Sequence, residues 1–320
     1  MSPKYEILKK LIVMSGLKNL GKMSAGEIIA LKKKQNAKAK IPVLKDSEVT
    51  VRKGRVMGFD VICMKQNSGT RRTLLYVIGG GMVRHPQPSE LKQALKLAKE
   101  TGLNVYVPYY PLCTDYPLTR AYEMIFGLYC KLLRRYGADN ICVMGTSSGG
   151  NLALGLVPYI KENSPETPMP SRIVVLSPGV CPSTDEERAR VKEIDKREII
   201  ISGDYLTTIE EILRHGSDDV PDYMIYLQNA DFTGCPEVTF IYGSDEVLYA
   251  MAPSFEAAMK RFGVRYEMIV GQGMYHCYPV YPYVKEAKEG RRQLVDMLRQ
   301  WKKNDLRDRL NDGIDTTKAV

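Results

Sequence analysis

The sequence is 320 residues long, with 44% hydrophobic and 26% charged residues and a formal net charge of +9. This composition is typical of a globular protein, and because no apolar run approaches the roughly 20 residues that span a bilayer, we expect no stable membrane insertion. The basic balance is local, since residues 1–56 hold 14 Lys and Arg against 4 Asp and Glu, which leaves 32 against 33 in the rest. We therefore expect no nucleic-acid partner.

The cysteines and the N-terminus indicate a cellular compartment. Seven cysteines lie far apart, their number is odd and no Cys-x-x-Cys pair occurs. This spacing argues against a disulfide framework and against a zinc site. The apolar residues 11–14 follow two lysines but are too short for a secretory signal and lack a cleavage site. We expect a cytoplasmic protein.

The chain begins with predicted helices over residues 4–35. Their apolar side chains recur at helical spacing with lysines between them, and in the first helix they are Ile7, Leu8, Leu11, Ile12 and Met14. We predict that this apolar face packs on the protein itself. A helix on a membrane surface or a contact with a partner is the alternative.

Alternating strands and helices follow. Apolar runs predict eight strands, at 48–53, 58–65, 73–78, 104–108, 140–144, 172–176, 237–242 and 265–270. Helical periodicity predicts helices between most of them, at 89–101, 118–136, 148–162, 252–262 and 284–302. Such alternation predicts an α/β fold in which a mostly parallel eight-stranded sheet is flanked by helices on both faces. Ligands of such sheets bind beyond the carboxyl ends of the strands.

One region interrupts this alternation. Residues 183–230 are rich in charge, hold two predicted helices at 184–196 and 206–215, and contain no strong strand. We therefore predict a core of residues 46–182 and 231–305, with a helical cap. The cap consists of the N-terminal segment 1–45 and the insertion 183–230, and residues 306–320 form a C-terminal tail.

A serine lies at a predicted strand-to-helix turn. The segment Gly145-Thr146-Ser147-Ser148-Gly149 follows a strand and opens a helix. Glycines on both sides make room for a sharp turn that would project the Ser147 hydroxyl above the sheet. The string is common by chance, but its strand and helix context favours a nucleophile. The N–H of Ser148 could then donate to an oxyanion at the start of the helix.

A glycine cluster follows the third predicted strand. Gly79-Gly80-Gly81 has neither a following Gly-Lys-Ser/Thr nor a spaced glycine pattern that opens into a helix, so it does not predict a phosphate-binding loop. Three glycines instead allow the N–H groups of Gly80 and Gly81 to face a carbonyl oxygen.

A serine nucleophile needs a base, and the base needs a carboxylate. His276 follows the last predicted strand, whereas the other two histidines, His85 and His215, follow the glycine loop and lie in the insertion. We predict His276 as the base, with His85 in reserve. Asp245 and Glu246 follow the preceding strand, and only one of two neighbouring residues should reach His276. The residues alone do not decide between them.

These segments together resemble the hormone-sensitive-lipase-like α/β hydrolases, also called fold-3 or family IV bacterial carboxylesterases. The resemblance extends from about residue 45 to 302 and includes the glycine loop, residues 110–112, the serine turn, residues 243–248 and residues 273–276. In that family the triad acid stands two residues before a leucine, which corresponds to Glu246 here. The family usually has Asp and Ala where this chain has Thr146 and Ser148. Ile78 replaces a histidine that normally braces the glycine loop.

The resemblance implies a carboxylesterase-type serine hydrolase that cleaves esters of short or medium acyl chains through an acyl-enzyme. Its triad would be Ser147, Glu246 and His276, without metal or cofactor, and its partner would be a small-molecule ester. A homodimer is possible. Deacetylation of a small metabolite, amide hydrolysis and a non-catalytic binding protein are the alternatives, the last because of Ile78.

Overall fold

A computed structural model describes residues 2–217 and 219–301. Within these residues, eight strands form one sheet. They are β1 (Val49–Val56), β2 (Phe59–Gln66), β3 (Thr73–Val77), β4 (Asn104–Pro108), β5 (Ile141–Thr146), β6 (Arg172–Leu176), β7 (Val238–Gly243) and β8 (Tyr266–Gly271).

Helices connect these strands and extend beyond them. The α-helices of the described ranges are α1 (Pro3–Met14), α2 (Ala25–Asn36), α3 (Pro88–Thr101), α4 (Leu118–Tyr136), α5 (Ser148–Asn163), α6 (Asp185–Asp195), α7 (Gly203–Arg214), α8 (Asp222–Ile225), α9 (Ala252–Arg261) and α10 (Lys285–Gln300). Short 3₁₀ helices lie between them, among them Leu17–Lys22 and Val247–Met251. None of the helices described is long and apolar enough to cross a membrane.

The strand order across the sheet is β1-β2-β4-β3-β5-β6-β7-β8. β2 runs antiparallel to β1 and β4, and every other neighbouring pair is parallel. This confirms the prediction of a mostly parallel eight-stranded sheet flanked by helices. Because β5, β7 and β8 are parallel, the loops that follow them meet at one edge of the sheet.

Helices cover both faces of the sheet. The residues of strands β3 to β7 are almost entirely buried, as expected for strands between two helical layers. Alternate strand residues point to opposite layers, so that Leu75 and Val143 pack with α4 and α5, whereas Leu74 and Cys142 pack with α3 and α10.

The segments predicted as a cap contain helices and meet each other. α1, the 3₁₀ helix Leu17–Lys22 and α2 precede the sheet, and α6, α7 and α8 lie between β6 and β7. Lys18 joins the two parts, because its Nζ donates to the carbonyl oxygens of Asp195 and Glu198 over 2.6 and 3.1 Å. The predicted tail, residues 306–320, lies outside the described residues.

The first helix departs from its prediction. The exposed fractions of Ile7, Leu11 and Met14 are 60%, 59% and 81%, so the interpretation that they share one buried face with Leu8 and Ile12 is wrong. Tyr5 faces the protein instead and is fully buried. The helix carries apolar residues on both sides, and spacing alone does not reveal which side packs.

Candidate active site

Ser147 lies in the tight turn between β5 and α5. Its backbone has φ 53° and ψ −131°, a conformation that is strained for a residue with a side chain. A Cβ on Gly145 would lie 2.1 Å from the carbonyl oxygen of Gly149, and a Cβ on Gly149 would lie 2.1 Å from that of Val77. The two glycines are therefore required for β5, the turn and β3 to approach so closely. The turn directs Ser147 into a cavity at the carboxyl edge of the sheet.

Glu246 and His276 form a buried pair beside this turn. His276 Nδ1 and Glu246 Oε2 are 2.5 Å apart, and Glu246 is fully buried. The other carboxylate oxygen, Oε1, accepts from Ser177 Oγ at 2.7 Å and from the N–H of Gly243 at 2.8 Å. Three donors thus converge on one carboxylate, and these contacts fix its position and that of the imidazole.

Asp245 faces away from the histidine. Its carboxylate pairs with Lys9 Nζ at 3.5 Å and with Arg197 Nε at 3.2 Å, both of which belong to the segments over the sheet. The neighbouring carboxylates of Asp245 and Glu246 therefore have different partners. Of the two carboxylates that the sequence offered, Glu246 is the one that contacts His276.

The surroundings of His276 change its basicity. Burial disfavours the charged imidazole, but the adjacent Cys277 sulfur and the Glu246 carboxylate favour it, and the pKa of His276 is raised well above the usual value of 6.5. The Nε2 atom lies 3.6 Å from Cys277 Sγ, which is its hydrogen-bond partner in the described part of the chain. Within the described residues, no hydrogen bond joins Nε2 to Ser147 Oγ, so a base at this position would have to exchange the Cys277 contact for the serine hydroxyl.

Side chains of the serine turn brace the glycine loop. Thr146 Oγ1 accepts from the N–H of Gly79 at 3.2 Å. Ser148 Oγ accepts from the N–H groups of Gly80 and Met82 at 3.0 and 3.2 Å. These hydroxyls belong to the two positions at which the turn departs from the resembled family. They fix the loop in a chain that has an isoleucine in place of the bracing histidine.

Ile78 itself is an apolar part of the loop. Its side chain is buried in the core, and its carbonyl oxygen accepts from Tyr110 Oη at 3.1 Å. The loop is thus held from the side of Tyr110 as well as from the serine turn.

The three predicted oxyanion donors differ in availability. Within the described residues, no hydrogen bond uses the N–H of Gly81 or of Ser148, and the N–H of Gly80 is engaged by Ser148 Oγ. Two backbone donors are therefore open to a ligand, and the third is shared with a side chain.

The cavity above Ser147 has a volume of about 370 Å³. Its floor includes four of the predicted site residues, Ser147, His276, Gly80 and Gly81, and its walls come from both parts of the cap. The wall residues include Ile12, Leu17, Leu20, Lys32, Ile200, Ile201, Ser202 and Tyr205. A second, smaller cavity of about 40 Å³ also borders Ser147 and Ser148 and has apolar walls from Val180, Leu206, Ile209, Leu213 and Leu248. Tyr205 lines both cavities.

A larger groove lies elsewhere. It has a volume of about 930 Å³ and is lined by Ser171, Glu237 and Arg265, which lie at the opposite ends of the strands. It holds none of the predicted site residues. The candidate residues therefore line the two smaller cavities and not this groove.

Sequence reasoning missed two polar residues near the pair. Ser177 links the Glu246 carboxylate to the N–H of Cys277, from which its Oγ accepts at 3.1 Å, and its place directly after β6 was the available signal. Glu198 is buried, and its carboxylate accepts from the N–H groups of Ile199, Ile200 and Val247. Burial raises the pKa of Glu198, and its charged sequence neighbourhood gave no indication that it would be buried.

The other two histidines lie apart from the serine. His85 is partly buried and packs against Tyr109, with ring centroids 5.3 Å apart. His215 Nδ1 contacts the carbonyl oxygen of Cys113 at 3.0 Å. Neither lines the cavities at Ser147. Within the described residues, no group of three or more His, Cys, Asp or Glu could hold a metal ion.

Comparison with known proteins identifies the family. A family model described as the alpha/beta hydrolase fold matches residues 74–280. The chain belongs to this family. An esterase of Acinetobacter venetianus is 24% identical to it over 75% of this chain and 79% of the relative. An acetyl-hydrolase of Streptomyces hygroscopicus is 25% identical over 92% of this chain and 94% of the relative.

Comparison with solved structures supports the same fold. An esterase of the bacterial hormone-sensitive lipase family superposes with a TM-score of 0.71, at 19% identity, over 87% of this chain and 97% of that chain. The resemblance inferred from the glycine loop and the serine turn is thus confirmed at the level of family and fold.

Proposed function

We propose that this α/β hydrolase cleaves carboxylic esters of short acyl chains through an acyl intermediate on Ser147. The observation that carries the proposal is the buried Glu246–His276 pair beside two cavities that Ser147 lines. Gly81 lines both cavities and Ser148 lines the smaller one, and the N–H groups of these two residues are open. A nucleophile, a base with its carboxylate and oxyanion donors are the parts that acyl transfer requires.

The reaction would proceed in two steps. Ser147 Oγ attacks the acyl carbonyl while His276 Nε2 takes its proton, and the N–H groups of Gly81 and Ser148 bind the oxyanion. The N–H of Gly80 becomes a third donor when it is released by Ser148 Oγ. His276 then protonates the leaving alcohol, and a water activated by His276 releases the acid. Glu246 stabilises the imidazolium throughout.

The two cavities support a division between acyl group and alcohol. A cavity of roughly 150 Å³ accommodates benzene, so the space of about 40 Å³ beside Ser147 suits a group of one or two carbons. The larger cavity of about 370 Å³ leaves room for a bulkier alcohol. We therefore propose that the acyl group of the substrate is acetyl or propionyl. Removal of an acetyl group from a larger metabolite is the second candidate, favoured by the same volumes and by the acetyl-hydrolase relative.

The cellular compartment is part of the same proposal. All seven cysteines are free thiols, four of them buried. Free thiols are typical of a reducing environment, which supports the cytoplasm.

Labelling with a fluorophosphonate probe tests the serine mechanism. The wild-type protein should form a covalent adduct that Ser147→Ala abolishes, whereas Ser89→Ala, an exposed serine of α3, should label normally. An adduct that persists in Ser147→Ala would show that another residue is the nucleophile. A wild-type protein that forms none would favour a non-catalytic binding protein.

Nitrophenyl esters of increasing chain length test the acyl assignment. We expect kcat/KM to be highest for acetate or propionate and to fall towards octanoate. Ile209→Ala should enlarge the small cavity and shift the preference towards longer chains. Ile212→Ala is the matched control, because Ile212 lies on the same helix, is also buried in the core and does not line the cavity. Equal shifts in both variants would contradict the assignment.

A further inference from the structure

The outer face of α1 carries an exposed apolar stripe. Ile7, Leu11 and Met14 follow each other at intervals of four and three residues, which places them on one side of the helix. Their exposed fractions are 60%, 59% and 81%. Large apolar side chains that are exposed singly are common, but a contiguous exposed stripe marks a contact surface. We call these three residues the outer stripe.

The opposite side of α1 fixes the direction in which the stripe points. Tyr5 is fully buried, stacks on Tyr275 with ring centroids 5.8 Å apart, and donates from Oη to the carbonyl oxygen of Gly273 at 2.6 Å. Lys9 pairs with Asp245. These contacts attach α1 to the loop before His276 and to the loop that follows β7. The outer stripe therefore faces away from the protein.

Two lysines flank the stripe. Lys4 lies three residues before Ile7, and Lys10 lies three residues after it and four before Met14, so both are its neighbours on the helix surface. Both are exposed, and within the described residues neither forms an ion pair, in contrast to Lys9. The exposed Glu6 lies four residues before Lys10, so the surface combines apolar side chains with a small excess of positive charge.

The stripe adjoins the mouth of the cavity above Ser147. Ile12 of α1 lines that cavity, and so do Leu17 and Leu20 of the following 3₁₀ helix. Leu17 is in addition 49% exposed, so the apolar surface continues from the stripe to the cavity wall. A partner that covers the stripe would therefore lie next to the part of α1 that forms a wall of the cavity.

We propose that the outer stripe docks α1 on an anionic lipid surface and thereby places the cavity mouth against that surface. An apolar stripe between lysines is the composition of helices that lie in a membrane interface, where the side chains enter the acyl boundary and the lysines meet anionic headgroups. A second copy of the chain fits less well, because a two-fold contact through the stripe would bring the lysines of the two copies together.

Vesicle flotation tests this docking with the full chain. The protein should float with vesicles of phosphatidylcholine mixed with phosphatidylglycerol and much less with phosphatidylcholine alone. The triple variant Ile7→Ser, Leu11→Ser and Met14→Ser should lose at least about tenfold in partition. Val43→Ser is the matched control, because Val43 is 86% exposed and lies outside α1.

The charge contribution is tested separately. Lys4→Gln with Lys10→Gln should weaken partition to the anionic vesicles by roughly 30-fold, since each lysine near such a surface contributes about five- to sixfold. Lys34→Gln with Lys38→Gln makes the same charge change at exposed lysines away from the stripe and should have a smaller effect. All variants should keep wild-type hydrolysis of a soluble nitrophenyl ester, which shows that the fold is intact.

Three results would overturn the proposal. The first is no flotation of the wild-type protein with the anionic vesicles, and the second is flotation that the triple variant leaves unchanged. The third is a dimer in light scattering that the triple variant converts to a monomer, because the stripe would then be an interface between copies. Since the soluble-ester assay is independent of vesicles, failure of the docking is distinguishable from failure of the esterase proposal.

Discussion

Replacement of Glu246 by glutamine is the most discriminating perturbation of the site. The Glu246 carboxylate receives three donors, from His276 Nδ1, Ser177 Oγ and the N–H of Gly243. A glutamine amide has one oxygen and one NH₂ group, so its NH₂ must face a donor in either orientation.

Both orientations damage the base. When the NH₂ faces His276, Nδ1 must give up its proton, and the remaining proton then sits on Nε2, which can no longer accept from Ser147. When the NH₂ faces Gly243, two donors oppose each other at a site where the carboxylate oxygen accepts at 2.8 Å. In either case no carboxylate remains to stabilise the imidazolium.

The expected loss follows from these contacts. An amide in place of a triad carboxylate lowers kcat by about 10³- to 10⁴-fold. At about 1.36 kcal/mol for each factor of ten, this corresponds to about 4 to 5.5 kcal/mol of transition-state stabilisation.

Asp245→Asn is the matched control, because it makes the same chemical change at the neighbouring residue. It weakens contacts with Lys9 and Arg197, whose side chains are 25% and 45% exposed. Partly exposed ion pairs contribute about 0.2 to 1 kcal/mol each. We expect kcat to fall by less than about fivefold, with a small loss of thermal stability.

Steady-state kinetics with nitrophenyl acetate measure both variants, and circular dichroism verifies that both are folded. A larger loss of kcat in Asp245→Asn than in Glu246→Gln would refute the assignment. So would a Glu246→Gln variant that retains more than a tenth of the wild-type kcat.

Three further predictions concern the base, the loop and the turn. The pKa of His276 is raised, and a base works as neutral imidazole, so kcat/KM for a neutral ester should increase with pH through a midpoint above 6.5. The midpoint should fall in Glu246→Gln. A midpoint at or below 6.5 in the wild type would contradict this prediction. Ser148→Ala leaves the N–H groups of Gly80 and Met82 without their acceptor, which should lower the free energy of unfolding by about 1 to 3 kcal/mol. An unchanged Tm in calorimetry would exclude the bracing role. Gly149→Ala places a Cβ against the backbone of Val77 and should destabilise the fold by about 3 kcal/mol or more, as measured by urea denaturation. A urea midpoint equal to that of the wild type would show that the turn can relax.

Much of the sheet could be predicted because its signals are local. Strands β4 and β6 have the predicted bounds, 104–108 and 172–176, since each is a short apolar run between a helix-ending segment and a loop. Other ends differ by a few residues, because hydrogen bonds to the neighbouring strand decide where a ladder stops. The four-residue helix α8 escaped prediction, since it is too short to show a period.

The candidate site was predictable where chemistry depends on residue type and on position after a strand. Ser147, His276 and the glycine loop carry such signals, and the parallel sheet brings strand ends together. Glu198 carries none, because a carboxylate in a charged segment is normally solvated and only the packing of the cap buries it. The same holds for Ser177, whose role depends on two partners far from it in sequence.

The sequence by itself determined the fold class and the position of the sharp serine turn, and it singled out His276 as the candidate base, because these follow from periodicity, glycine content and the scarcity of histidine. Only the tertiary structure decided which carboxylate contacts His276 and which side of α1 packs, since both depend on the direction of side chains in three dimensions. It also showed that Thr146 and Ser148 brace the loop that lacks the family's histidine. Hydrogen bonds between segments about 67 residues apart leave no local pattern in the sequence.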